Sequence, residues 1–273
     1  MLLLILFILI SAIGAVLLAA RLAAGFTAVL LGVGLFCALY LALVVLFLLV
    51  LYISSLFVDL SKPQTKQSAY FRFLANQFLW NACLYGGVRI HATGLELVPR
   101  DKPFLLVSNH IYDYDPIIFI LAMPWAKLGF ISKKENYTMF VVNKLMHKLE
   151  CVPVDRENDR AALRSILHTA DILKAGKHSM GVFPEGYESK SGELLPFRNG
   201  VFKIAQRANV PIVVSVLRGT KDIPKNLFRR RTDVELEVLG VVPTEDITGV
   251  LTRDIGDRIH KMMLDALERK SAV

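Results

Sequence analysis

The sequence predicts an α/β domain with a largely parallel, mixed sheet flanked by helices, preceded by an N-terminal two-helix membrane anchor. Three observations carry this expectation. The apolar excess of the chain is concentrated at its front: residues 1–61 hold two charges, Arg21 and Asp59, while the other 212 residues carry 31 Lys+Arg against 23 Asp+Glu. After Gly87, short apolar runs alternate with helical patterns. Those runs read as strands covered on both faces, as in a parallel sheet with helices above and below.

The front comes first. Met1 to Ala20 is free of charge, and so is Leu22 to Val58. About 20 apolar residues cross ~30 Å of hydrocarbon as a helix. The second run would be about 55 Å long as one helix, so it has to tilt, bend or lie partly along the interface. Arg21 and the Ala-Ala-Gly-Phe stretch after it make a natural hairpin tip, and helices are expected near 2–20 and 30–55. A cleaved signal peptide fits less well, because the first run has no Lys or Arg in its n-region and is too long for an h-region. The body begins with Lys62 and Lys66 and is basic, which places it on the cytoplasmic side by the positive-inside rule. A sequon at Asn136-Tyr137-Thr138 would go unused there. The expected division is therefore a transmembrane hairpin at 1–61 and an α/β domain at 62–273.

Residues 68–85 crowd Tyr70, Phe71, Phe73, Leu74, Phe78, Leu79, Trp80 and Leu84 around one charge, Arg72, and stop at Gly86-Gly87. Such a helix can lie in the headgroup layer or pack on the sheet. Strands are expected at 88–91, 103–108, 128–131, 151–154, 179–183, 211–217 and 234–239. Residues 159–175 give the cleanest helix, with Leu163, Ile166, Leu167, Ala170 and Leu173 on one face, Asn158 or Asp159 as cap and Gly176 at the end. A last helix covers roughly 249–270. Cys37, Cys83 and Cys151 have no CxxC spacing and read as reduced thiols.

Composition and motif content exclude several classes. At 54% apolar the chain is not disordered, collagen-like or a disulfide scaffold. No second long apolar block follows residue 61, which excludes a polytopic channel. There is no GxxxxGK[ST] loop, no GxGxxG after a strand, no GxSxG elbow, no HExxH and no Cys/His cluster at zinc spacing. Arg229-Arg230-Arg231 lacks interleaved aromatics, so nucleic acid is not an expected partner. A basic domain beside a bilayer meets anionic headgroups instead.

Four stretches carry the chemistry. Ser108-Asn109-His110-Ile111-Tyr112-Asp113-Tyr114-Asp115-Pro116 follows a strand, with Pro116 suited to a first helical position and Asp115 to the N-cap. His110 then lies at the carboxyl end of a strand, where open α/β sheets place ligands. His110 and Asp115 would be about 140° out of alignment on a regular helix, so they meet only if the turn folds back. An imidazole tethered by a carboxylate is a general base for an alcohol; the plainer reading is an N-cap and a surface turn residue. Val152-Pro153-Val154-Asp155-Arg156 is a strand ending in an acid–base pair, either a loop salt bridge or an arginine poised for phosphate. Val182-Phe183-Pro184-Glu185-Gly186-Tyr187-Glu188-Ser189 ends a strand in a tight turn, followed by Gly192–Gly200 with Arg198. Val210-Pro211-Ile212-Val213-Val214-Ser215 begins a buried strand.

In this order the four resemble the glycerolipid acyltransferase family, whose best-known members acylate lysophosphatidic acid (1-acylglycerol-3-phosphate). The matching pattern is NHx4D, an arginine at a strand end, FPEG and VPI, over about residues 88–220. The resemblance implies that His110 is the general base that takes the proton from the lysophospholipid hydroxyl as it attacks an acyl thioester, and that Asp115 orients it. Asn109, Arg156, Glu185, Gly186, Ser189 and Arg198 would bind substrate. It implies no metal, no cofactor and no covalent enzyme intermediate, with acyl-CoA or acyl carrier protein as donor and the lipid bilayer and a lysophospholipid acceptor as partners. The product would be phosphatidic acid. The family usually reads FPEGTRS; here Tyr187 and Glu188 stand in place of Thr and Arg, which weakens the case for a phosphomonoester. Lys190 and Arg198 are candidate replacements, and another lysolipid acceptor is the alternative. A non-catalytic lipid-binding protein on the same fold is the reading from another class. The other five histidines, His91, His147, His168, His178 and His260, read as structural or solvated.

Overall fold

The computed structural model describes residues 2–62, 64, 66–189, 191–226 and 231–271. Two helices open the chain, α1 (Leu2–Leu22) and α2 (Gly25–Leu56). Both are long and apolar enough to cross a membrane, and their side chains are apolar all round, with Leu9, Val16, Val29, Leu41 and Leu49 among many exposed. The turn between them is tighter than expected: Gly25, at φ +62°, already begins α2, five residues ahead of the expected start. As one rod of 32 residues, α2 is about 48 Å long.

The third helix, α3 (Ala69–Tyr85), starts on Ser68, whose hydroxyl accepts from Phe71 N. Both readings of this segment describe part of it. One face buries Phe71, Leu74, Ala75 and Cys83, and the other leaves Tyr70, Phe73, Phe78 and Trp80 exposed. α3 also runs alongside the hairpin. The Tyr40 and Tyr85 hydroxyls meet, Ser54 Oγ lies 2.7 Å from Tyr70 Oη, and Gln77 Oε1 accepts from Leu3 N at 3.1 Å.

The seven expected strands are all present: β1 (Val88–Thr93), β2 (Leu105–Ser108), β3 (Gly129–Lys133), β4 (Val152–Val154), β5 (Met180–Val182), β6 (Ile212–Arg218) and β7 (Thr232–Val242). They form one sheet in the order β1-β7-β6-β2-β5-β3-β4. From β6 to β4 every pairing is parallel, with Leu105 level with both Ile212 and Met180. β7 runs antiparallel to β6, and β1 parallel to β7.

The α-helices between the strands are α4 (Asp115–Ala122), α5 (Phe140–Lys148), α6 (Asp159–Lys174), α7 (Lys203–Ala208) and α8 (Ile223–Asn226), and α9 (Thr252–Ser271) follows β7. Asn158, one of the two expected caps, accepts from Ala161 N and starts α6. Alternate side chains of the central strands feed two cores. Leu105, Val107, Met180, Ile212 and Val214 pack with Leu173, Ile204 and Ile259 from α6, α7 and α9. Leu106, Val213 and Leu236 pack with Ile118 and Phe119 of α4 and with Phe130 and Phe183. Gly181 has to be a glycine here, since a Cβ would lie 2.2 Å from the Phe130 ring. Because β2, β3, β4 and β5 are parallel, their carboxyl ends share one rim, and the loops leaving them converge there.

Candidate active site

His110 leaves the carboxyl end of β2 on a turn that folds back on itself. Asp115 is the first residue of α4 rather than its N-cap, and Tyr114 precedes it without a side-chain cap bond. The Asp115 carboxylate instead points back into the turn. Its Oδ2 accepts from Ile111 N at 2.6 Å, from Tyr112 N at 2.9 Å and from His110 Nδ1 at 2.8 Å. A carboxylate has only acceptors to offer, so Nδ1 carries the hydrogen and the Nε2 lone pair is left free. The imidazole is fixed in a second direction by Phe183, whose ring stacks on it with centroids 4.3 Å apart and planes 12° apart. Asp115 is fully buried and His110 is 8% exposed, so a buried tether holds a ring with one edge on solvent.

The FPEG turn locks this arrangement from the β5 side. Glu185 is buried, and its two oxygens accept from His110 N at 2.6 Å and Leu195 N at 2.8 Å. Burial pushes its pKa up to about 7, against the lowering effect of those two N–H groups. Gly186 sits at φ +76°, and a Cβ there would press on Arg198 Nε at 2.9 Å. Glycine thus serves both the left-handed turn and the passage of the arginine. Ser189 donates its amide to the His110 carbonyl at 2.8 Å, and its hydroxyl is used inside the loop by Glu193 O and Gly192 N. Asn109 spans β2 and β6, with its amide bonded to both Leu217 O (3.0 Å) and Leu217 N (2.8 Å).

These side chains border a cavity of about 900 Å³. Its walls include Phe78 and Leu79 of α3, Ile117 and Ile120 of α4, and Met139, Val142 and Leu145 around α5; another part runs past Ile166, Val201 and Leu251. Its polar side holds His110, Asp113, Lys133, Arg156, Glu188 and Arg198. The expected site residues therefore divide. His110, Arg156, Gly186 and Arg198 line the cavity, with Asp115 directly behind the imidazole. Glu185 and Ser189 have their side chains engaged in the turns around His110, and that of Asn109 is engaged by Leu217 of β6. Lys190 lies outside the described residues.

Tyr187 joins the two arginines. The Arg156 and Arg198 guanidinium carbons each lie 5.1 Å from its ring centroid, and Arg198 Nη2 reaches its hydroxyl at 3.3 Å. Burial lowers the Arg156 pKa below the usual arginine range, and the neighbouring Arg198 adds to this. Neither guanidinium lies within ion-pair distance of a carboxylate among the described residues, so both remain available to an anion. One cation was missed in the sequence: Lys133, the last residue of β3, lies 3.3 Å from Glu188 and 3.5 Å from Asp113. A lone lysine at a strand end carries no motif, and only the order of strands brings it to the FPEG turn.

The remaining histidines lie away from this rim. His91 pairs with Asp233 at 2.7 Å, His260 meets the edge of Phe197, and His178 is buried 3.4 Å from Glu150, its pKa pulled down to about 4 by burial.

Comparison with known proteins gives a consistent picture. Residues 89–218 match the family model described as Acyltransferase. The 1-acyl-sn-glycerol-3-phosphate acyltransferase alpha of Homo sapiens is 27% identical over 217 residues, covering 79% of this chain and 76% of that protein. The 1-acyl-sn-glycerol-3-phosphate acyltransferase of Limnanthes douglasii is 29% identical over 176 residues, covering 64% and 62%. Among solved structures, the 1-acyl-sn-glycerophosphate (LPA) acyltransferase PlsC from Thermotoga maritima superposes with a TM-score of 0.60 at 24% identity, over 74% of this chain and 82% of that one. That likeness establishes a shared fold.

Proposed function

We propose that the chain, whose residues 89–218 match the acyltransferase family model, moves a fatty acyl group from an acyl thioester to the free hydroxyl of 1-acylglycerol-3-phosphate, giving phosphatidic acid. The observation that carries this reading is the buried His110 Nδ1–Asp115 bond with the rest of the ring facing the cavity. Nε2 takes the hydroxyl proton as the acceptor oxygen attacks the thioester carbonyl. Asp115 stabilises the imidazolium that forms. The C–O bond forms, the C–S bond breaks, and the proton passes from Nε2 to the leaving sulfur. The Arg156–Tyr187–Arg198 cluster supports a phosphate on the acceptor, because two guanidiniums held beside one aromatic ring bring two sets of charged N–H donors to the cavity. The apolar walls of α3, α4 and α5 suit acyl chains.

The names of the relatives support the acceptor. The donor, acyl-CoA or acyl carrier protein, follows from the thioester chemistry. The two apolar helices support anchoring in a bilayer, with the basic domain on the cytoplasmic side. The carboxylate of Glu188 favours a second reading, in which the acceptor is a lysolipid of lower negative charge. Release of free thiol by the full-length protein in mixed micelles, with lysophosphatidic acid and then with other lysolipids, tests both. Preference for lysophosphatidic acid supports the first reading, preference for a less charged lysolipid the second, and lack of thiol release with every lysolipid refutes acyl transfer.

A further inference from the structure

Glu188 makes no ion pair with Arg156 or Arg198 among the described residues. It turns toward the catalytic ring: Oε1 stands 3.3 Å from Lys133 Nζ and 4.0 Å from His110 Nε2. Lys133 is held from its other side by Asp113 at 3.5 Å. All four residues line the same cavity as Arg156 and Arg198. Of the cavity cations Lys133, Arg156 and Arg198, Lys133 is the one already paired with protein carboxylates among the described residues.

We propose that Glu188 is a specificity-determining residue, an internal anion that stands on Lys133 where the phosphate of an acceptor would otherwise bind. This rests on the acyl-transfer reading and refines it. The Glu188 and Lys133 side chains are 32% and 30% exposed, so water reaches the pair and it can open. Burial works against the Lys133 ammonium, but Asp113 and Glu188 outweigh it and hold its pKa above the usual lysine value. A phosphate held by Arg156 and Arg198 meets Glu188 as a like charge and competes with it for Lys133. The penalty grows with the charge of the head group, so a phosphomonoester near two negative charges is disfavoured more than a singly charged diester. Glu188 therefore narrows the advantage that the arginine pair gives to lysophosphatidic acid.

The test uses full-length enzyme in mixed micelles and reads two quantities: KM for lysophosphatidic acid, and the competitive inhibition constant of glycerol 3-phosphate, a soluble phosphomonoester. Glu188→Gln keeps the shape and removes the charge. Both constants are expected to fall about tenfold, the difference between a phosphate that shares Lys133 and one that has it alone, with kcat moving less. Lys133→Met raises both, and in the double variant the gain from Glu188→Gln disappears, because the cation it frees is gone. Unchanged or raised constants in Glu188→Gln, or the same gain with and without Lys133, overturn the proposal. A wild-type enzyme that releases no thiol with lysophosphatidic acid refutes the acceptor reading itself, a result separate from any effect of these variants.

Discussion

Replacing Asp115 by asparagine separates two roles that a carboxylate behind a histidine can have: fixing the tautomer and carrying charge. In many such pairs the amide turns its NH2 toward the ring and traps the wrong tautomer. Here that rotation is opposed. The same oxygen that meets His110 Nδ1 also accepts from Ile111 N and Tyr112 N, and turning the amide over would set an NH2 against three N–H donors. Oδ1 has no hydrogen-bond partner among the described residues, so the new NH2 fits on that side without displacing one. The tautomer is retained and the charge is lost. A charge-assisted bond contributes about 1.5–3 kcal/mol and a neutral one about 0.5–1.5. The charge therefore favours the imidazolium of the transition state by about 1–2.5 kcal/mol, or roughly 5- to 70-fold in rate. Steady-state kcat/KM for thiol release, with far-UV circular dichroism as a control for folding, checks this. An unchanged rate would refute the role of the charge. A loss as deep as that of His110→Ala would refute the claim that the two backbone N–H groups hold the oxygen in place.

Removing the imidazole itself, in His110→Ala, is expected to abolish turnover while leaving the melting temperature within a few degrees, since the ring contributes one stacking contact and one hydrogen bond; retained activity would contradict the assigned base. Glu185 binds more protons folded than unfolded between its ordinary pKa of 4.5 and about 7. Its contribution is complete below 4.5 and declines as pH rises through 7, by about 3 kcal/mol in all; Glu185→Gln should flatten that decline in denaturation midpoints at pH 5 and pH 8. Asn109→Ala leaves the Leu217 N–H and C=O without their partner at the end of β6, costing about 1–3 kcal/mol for each buried group, read by chemical denaturation. Arg198→Ala is expected to raise KM for lysophosphatidic acid by about tenfold or more and to change kcat less, and the reverse split in kinetics would move the arginine from binding to chemistry.

How far the sequence reveals this molecule depends on whether the signal is local. The central strands could be read because they are covered on both faces, so apolar residues run without interruption through Leu105–Val107 and Ile212–Val214. The antiparallel turn of β7 could not, because strand direction depends on the path of the chain between β6 and β7 and not on the strand's own residues. Asp115 was identified as the partner of His110, but as an N-cap; the direction of its side chain follows from the backbone of residues 110–114, which no periodicity encodes. Arg156 and Arg198 were visible in their motifs. Their shared platform on Tyr187, and the placement of Lys133 against Glu188, come from segments far apart in sequence and emerge only when β3, β4 and β5 lie side by side.

The continuity of α2 has a mechanical consequence. Its first part pairs with α1, and its last turns are stitched to α3 through Ser54 and Tyr70, with Lys144 of α5 donating to Val58 O just beyond its end. Among the described residues, these contacts join the hairpin to the elements that wall the cavity. Embedded in a bilayer, such a rod makes the elevation of His110 above the lipid a property of helix length and inclination, so that a thicker or thinner membrane would raise, lower or tip the reactive nitrogen as one piece with its support.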